Sequence, residues 1–173
     1  MNFNKINTVF TFFLIIILFI SCNKQEGCNS NEAMNFNADA DKDDGSCIYA
    51  YDISQGMWNI NPDCEELDIP GIGAISLNDQ LPDTINVQGS GGNQLFIDIQ
   101  GTPITATIEN NGEINVNSQS VSIDFGLGLP FPIVIDGNGQ IYSYSSGIMN
   151  LNYSVQIPLI GAQQTSCVIS IYR

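Results

Sequence analysis

Met149, Leu151, Tyr153, Val155 and Ile157 alternate with Asn150, Asn152, Ser154 and Gln156. A period of two puts every apolar residue on one face of an extended strand and every polar one on the other. The same alternation recurs where Leu95, Ile97 and Ile99 interleave with Phe96, Asp98 and Gln100. It recurs again where Ile104, Ala106 and Ile108 interleave with Thr105 and Thr107. Thr, Ile, Val and Tyr dominate these runs, and such residues suit a pleated, half-buried surface. From Ile53 onward the chain reads as strands. No long window has a helical period, and the one helical candidate is a short turn near Asn31 to Asn35.

Turn signals separate the runs. Ser90-Gly91-Gly92-Asn93 and Asn110-Asn111-Gly112 read as hairpin turns, and Asp136-Gly137-Asn138-Gly139 reads as a turn between "FPIVI" and "QIYSY". Their spacing predicts an all-β domain over 50–173: an antiparallel meander of about eight strands, closed as a small barrel or folded as a sandwich. The stretch "DFGLGLPFPIVID", Asp124 to Asp136, reads either as a lip at a barrel mouth or as an edge strand guarded by prolines, with the edge strand favoured. Tyr142 and Tyr144 share a face, fit either for stacking on a sugar or for ordinary cross-strand pairing.

The composition removes whole classes of chemistry. The net charge is −14, with four Lys+Arg and no His. Such a chain lacks the cations that hold nucleic-acid phosphates. Without His it has neither the usual general base nor a Ser-His-Asp arrangement. Glu65 and Glu66 are adjacent, so in an extended chain they point to opposite faces and make a poor cooperating pair. No catalytic residue is assigned, and the chain is read as a non-enzyme.

Residues 1–22 read "MNFNKINTVFTFFLIIILFISC". Lys5 precedes an apolar core of signal-peptide length, too short to span a bilayer. The ending Phe19-Ile20-Ser21-Cys22 resembles a bacterial lipobox, departing from it at Phe19. That resemblance implies a signal peptide over 1–21, a lipidated Cys22 as the mature N-terminus, and a tether over 22–26. Lys24 and Glu26 resemble the short tag of some Gram-negative lipoproteins that reach the cell surface. The implied location is the outer membrane, lipid-anchored and surface-exposed.

There are five cysteines. Lipidating Cys22 leaves four, which suits two disulfides in an exported protein. Locality pairs Cys28 with Cys47. Cys167 shares the apolar phase of Ile169 and Ile171, and is expected to bridge to Cys64 in an oxidising compartment, the alternative being two free buried thiols. The segment over 27–48 contains "GCNSNEAMNFNADADKDDGSC". It resembles a Cys-bounded GC…DDGSC motif of secreted and surface proteins of Gram-negative bacteria. Ala33, Met34 and Phe36 are its minimal core, with Asp44-Gly45 as the closing turn. Asp39, Asp41, Asp43 and Asp44 alternate much as in a calcium loop, but Gly45 falls one residue late and no Glu follows at the twelfth position. The run reads as a solvated acidic spacer or as a calcium site.

Gly56-Met57-Trp58, together with Arg173, resembles the GxW strand and closing arginine of the lipocalin-like calycin barrels. The resemblance implies that Trp58 plugs one end of a barrel with Arg173 stacked on it. From size alone, Trp58 reads equally as the largest core residue. The functional expectation is a lipid-anchored envelope binding module for an apolar or glycan-like ligand. Its alternative is a structural or adhesive component without a small-molecule pocket. An apolar pocket lined by the inward residues favours the first, and a filled core favours the second.

Overall fold

The computed structural model describes residues 24–71, 73–99, 101–124, 130–157 and 161–173. Two compact units divide the chain. One holds the described part of 1–30 with 36–47, and the other holds 31–35 with 48–173.

The smaller unit contains strands β1 (Glu26–Gly27) and β2 (Lys42–Asp43), paired in parallel. Lys42 Nζ meets Glu26 Oε1 at 2.6 Å on the surface, where such a pair contributes about 0–1 kcal/mol. The Cys28–Cys47 disulfide closes this unit, and Cys28 is buried. Gly45 takes φ +79 at the closing turn, where its N–H meets Asp43 Oδ1. The expected minimal core does not form. Phe36 is exposed, while Ala33 and Met34 belong to the larger unit, where Ala33 is buried and Met34 packs on that unit's core and donates its N–H to Ile48 O.

The larger unit opens with helix α1 (Ala50–Ser54), which sequence periodicity did not reveal because one helical turn is too short to show a period. Then follow β3 (Gly56–Cys64), β4 (Leu67–Ile69), β5 (Gly73–Ile75), β6 (Thr84–Gly91), β7 (Gln94–Ile99), β8 (Thr102–Ile108), β9 (Glu113–Asp124), β10 (Pro130–Ser143), β11 (Ser146–Ile157) and β12 (Gly161–Tyr172). Strands β3 and β6 to β12 close an antiparallel barrel in the order β3-β6-β7-β8-β9-β10-β11-β12, with β12 returning to β3. Each barrel strand pairs with its neighbour along the chain, and β4–β5 is a hairpin between β3 and β6.

Closure decides between barrel and sandwich, and it leaves β10 no free edge. Pro130 and Pro132 pair across to Asp124 and Ser122 of β9, so the edge-strand reading of this segment does not hold. Residues 125–129 lie outside the described residues. The expected turn at Asp136–Gly139 is also absent, because β10 runs straight through it with a bulge between Ile135 and Gly137. The glycines are needed for close approach rather than for a turn. A Cβ on Gly137 would sit 2.1 Å from Asn150 O, and one on Gly139 would sit 2.2 Å from Met149 Sδ. The other two turns form as expected. Gly92 and Asn93 both take positive φ, the type I′ requirement of a two-residue hairpin, and 109–112 joins β8 to β9.

The inward phase builds the core: Leu95, Ile97, Ile104, Ile108, Met149 and Leu151 are all buried. The β3–β6 connection adds Leu67 and Leu77, with Ile75 and Leu81 packed against the core. Cys64 and Cys167 face each other across β3 and β12 and are bonded.

The β8–β9 seam is sealed by a side chain. Only Thr107↔Asn115 and Ile108↔Ile114 pair there. Beyond them, Gln119 inserts its amide as a substitute rung. Its Oε1 accepts from Thr105 N at 2.9 Å and Thr105 Oγ1 at 3.1 Å, and its Nε2 donates to Thr105 O at 2.8 Å and Asn117 O at 3.1 Å.

Candidate functional site

One end of the barrel is closed by Trp58, the largest of the fully buried side chains. Its indole N–H cannot be left without an acceptor in an apolar interior. It donates to Ser54 O at 2.8 Å, at the end of α1, so the helix supplies the acceptor. Arg173, the sole basic side chain after Lys42, sits with its guanidinium carbon 4.0 Å from the indole centroid. It donates to carbonyls rather than to a carboxylate. Nε reaches Met57 O at 3.1 Å, Nη1 reaches Tyr144 O at 3.4 Å, and Nη2 reaches Gln55 O. The fork of donors therefore ties β3, the β10–β11 turn and the segment after α1 into one seal.

An apolar cavity of about 30 Å³ lies among Ile60, Leu81, Ile97, Ile104, Met149 and Ile171. That is room for about one water, against the several hundred cubic ångströms of an ordinary ligand pocket. The Tyr153 hydroxyl is buried without a hydrogen-bond partner, and burial pushes its phenol well above the ordinary tyrosine range.

A larger space among the described residues lies on the outer wall. A groove of about 390 Å³ runs over β10, β11 and β12, lined by Glu65, Asp136, Asn152, Ser154, Gln164 and Ser166 among others. Register explains the gathering. Asp136 stands opposite Asn152, Asn152 opposite Ser166, and Glu65 N–H donates to Ser166 O at 2.9 Å. Four outward side chains from four consecutive segments thus form one row across the sheet. Ser154 and Gln164, also opposite each other, form a second row. Asn152 Nδ2 holds Asp136 Oδ1 at 2.9 Å. Thr165 Oγ1 donates to Glu65 O at 2.7 Å, and the neighbouring Cys64–Cys167 bond fixes the same corner. A second groove of about 200 Å³ lies outside the β8–β9 seam, beside Phe96, Thr105 and Asn117. Tyr142, Tyr144 and Tyr172 are exposed.

The acidic run does not gather into a ligand set. Asp43 Oδ1 accepts from Gly45 N and Asp44 Oδ1 from Ser46 N, both at 2.9 Å. Hydrogen bonds from Ser46, side chain first, hold the Asp44 carboxyl below the usual carboxylate range. Asn37 Oδ1 takes the N–H of Asp39, and Asp41 N–H donates to Gln25 O. Among the described residues no group of three or more His, Cys, Asp or Glu is placed to hold a metal ion. Cys22 and the signal over 1–21 lie outside the described residues. Among the described residues no helix is long and apolar enough to cross a membrane.

Sequence reasoning named the two disulfides and Trp58 with Arg173, and the structure brings each pair together. It missed the Asp136–Asn152–Ser166–Glu65 row and the Gln119 seal.

Fold and closed end define an eight-stranded antiparallel up-and-down barrel, compatible with a lipocalin-like calycin fold. No family model matches the chain, and no curated protein matches it. A solved structure of EF1p2_mFAP2b bound to DFHBI is similar at 15% identity and a TM-score of 0.43, over 72% of this chain and 97% of that one. So distant a likeness carries nothing over to this chain.

Proposed function

We propose that the chain is a non-enzymatic, lipid-anchored binding module of a Gram-negative cell envelope, and that it takes a glycan-like ligand on the outer wall of its barrel. Cys22 carries the anchor, and the disulfide-closed acidic motif acts as the spacer between anchor and barrel. The distribution of space carries this reading: about 390 Å³ of polar groove outside against about 30 Å³ of apolar cavity inside. Hydroxyls and primary amides in the groove match the donors and acceptors of a sugar. An apolar ligand would have to enter an interior where the described residues leave an apolar cavity of about 30 Å³.

So small an interior cavity among the described residues also favours a second reading, a structural or adhesive component with no ligand of its own. Two measurements decide. Intact mass of the detergent-extracted protein should exceed the polypeptide from Cys22 onward by its acyl groups, and a mature N-terminus past Cys22 refutes the anchor. A glycan array probed with a lipid-free Cys22→Ser form should give saturable binding. Melting-temperature screening against fatty acids and haem should give no stabilisation, and a rise there would overturn the outer-wall reading. Silence on both screens leaves the structural role.

A further inference from the structure

From the end groups of the outer-wall row we infer that the ligand is an amino sugar: a short oligosaccharide carrying free, protonated amines. This rests on the outer-wall reading and specifies its ligand. The row begins and ends in a carboxylate, Asp136 at one end and Glu65 at the other, with Asn152 and Ser166 between. Strands lie about 4.8 Å apart, so three steps separate the backbones of the two acidic residues by roughly 14 Å. That distance is far too long for one cation to bridge, since metal–oxygen bonds run about 2.0–2.6 Å. It suits instead an extended ligand with a cationic group near each end.

Both ends are held. Asp136 is fixed by Asn152 Nδ2. The backbone of Glu65 is clamped on both sides, its N–H by Ser166 O and its carbonyl by Thr165 Oγ1, next to the Cys64–Cys167 bond. The larger unit has a single basic side chain that could compete for them. After Lys42 the sole one is Arg173, which is committed to Trp58 and three carbonyls.

The middle of the groove separates a sugar from a simple polyamine. A polymethylene chain between two amines seeks apolar walls. Here the walls are Asn152, Ser154, Gln164 and Ser166, which offer hydrogen bonds to hydroxyl groups. A ligand that is cationic at intervals and hydroxylated between them satisfies both features.

Calorimetric titration of the lipid-free protein tests this, using a glucosamine oligomer, its fully N-acetylated counterpart and spermine at neutral pH and low salt. The glucosamine oligomer should bind, and the acetylated oligomer and spermine should each bind at least about tenfold more weakly. Glu65→Gln and Asp136→Asn should each weaken the glucosamine oligomer roughly fivefold, the scale of an exposed charge pair. Unchanged melting temperatures would show that the variants fold. Equal binding of the acetylated oligomer, equal binding of spermine, indifference to both substitutions or no binding of the glucosamine oligomer would each overturn the inference. If neutral glycans still bind on the array, the outer-wall reading survives that failure. If nothing binds there either, both fall.

Discussion

Removing the guanidinium from Trp58 should loosen the closed end of the barrel, and the size of the effect follows from its contacts. Arg173→Ala deletes a cation lying 4.0 Å from the indole centroid, worth about 1 kcal/mol at a partly exposed site. It deletes three donor contacts to Gln55 O, Met57 O and Tyr144 O. Water can replace some of these, and the bond to Tyr144 is long, so they amount to about 2 kcal/mol. Uncovering roughly 40 Å² of an indole that is 0% exposed costs about 1 kcal/mol more. Releasing the ordered arginine returns about 1.5 kcal/mol of side-chain entropy. The net loss is roughly 2–3 kcal/mol, or a drop in Tm of about 10 °C.

Trp58 is the only tryptophan, so its fluorescence reports this end of the barrel alone. Denaturant unfolding under non-reducing conditions should show the loss. Native emission should move to the red, with readier quenching by acrylamide. Arg173→Lys keeps the charge but loses the planar fork, and should recover less than half. Arg173→Met keeps an apolar cover without charge or donors. If Arg173→Met matches the wild type, the cation and its donors contribute nothing. If Arg173→Ala changes stability by less than about 0.5 kcal/mol with an unmoved spectrum, the seal is not a seal.

Gln119→Ala should cost about 2 kcal/mol, because four hydrogen bonds to the β8–β9 seam are lost and water enters. Hydrogen exchange should show the Thr105 amide unprotected, and retained protection would contradict the substitute rung. Tyr153→Phe should stabilise by about 1 kcal/mol, since it removes a buried hydroxyl with no partner. Because the folded-state pKa of Tyr153 is raised, the wild type should lose stability as pH climbs above about 10, where the unfolded chain ionises first. The phenylalanine variant should show less of that decline, and equal declines would refute the assignment. Replacing Cys64 and Cys167 by Ser opens a loop of 103 residues and should cost about 4.7 kcal/mol in the chain-entropy account, read from denaturant midpoints. Millimolar calcium should leave the resonances of Asp39, Asp41, Asp43 and Asp44 unmoved, since Asp43 and Asp44 already turn an oxygen onto the following turn. Saturable shifts would restore the calcium reading.

Much of the fold could be read from alternation. The inward sets of β7, β8 and β11 are those that period two selects. Alternation could not choose barrel over sandwich, because both bury one face of each strand. Closure depends on how tightly strands coil past each other, and that information sits in glycines whose meaning is ambiguous in sequence. Gly137 and Gly139 resemble turn residues, yet they serve to let β11 pass within contact of β10. Leu67 and Leu77 were hidden for another reason. They lie in a connection of 65–83 where burial comes from the place the chain crosses, not from a repeating pattern.

The outer-wall row was illegible for a related reason. Asp136, Asn152, Ser166 and Glu65 are far apart in sequence, and each is an ordinary outward polar residue of its own strand. Only register puts them in line, and a slip of one residue would turn each to the other face. Half of that register was available, since pairing Cys64 with Cys167 places Glu65 beside Ser166. The other half depends on β10 running unbroken through Asp136–Gly139, where a turn had been expected. The same two glycines that let the barrel close therefore carry Asp136 into line with Asn152. The close approach of β10 to β11 and the alignment of Asp136 with Asn152 rest on the same glycines, and a Gly137 variant that disrupts the first should lose the second.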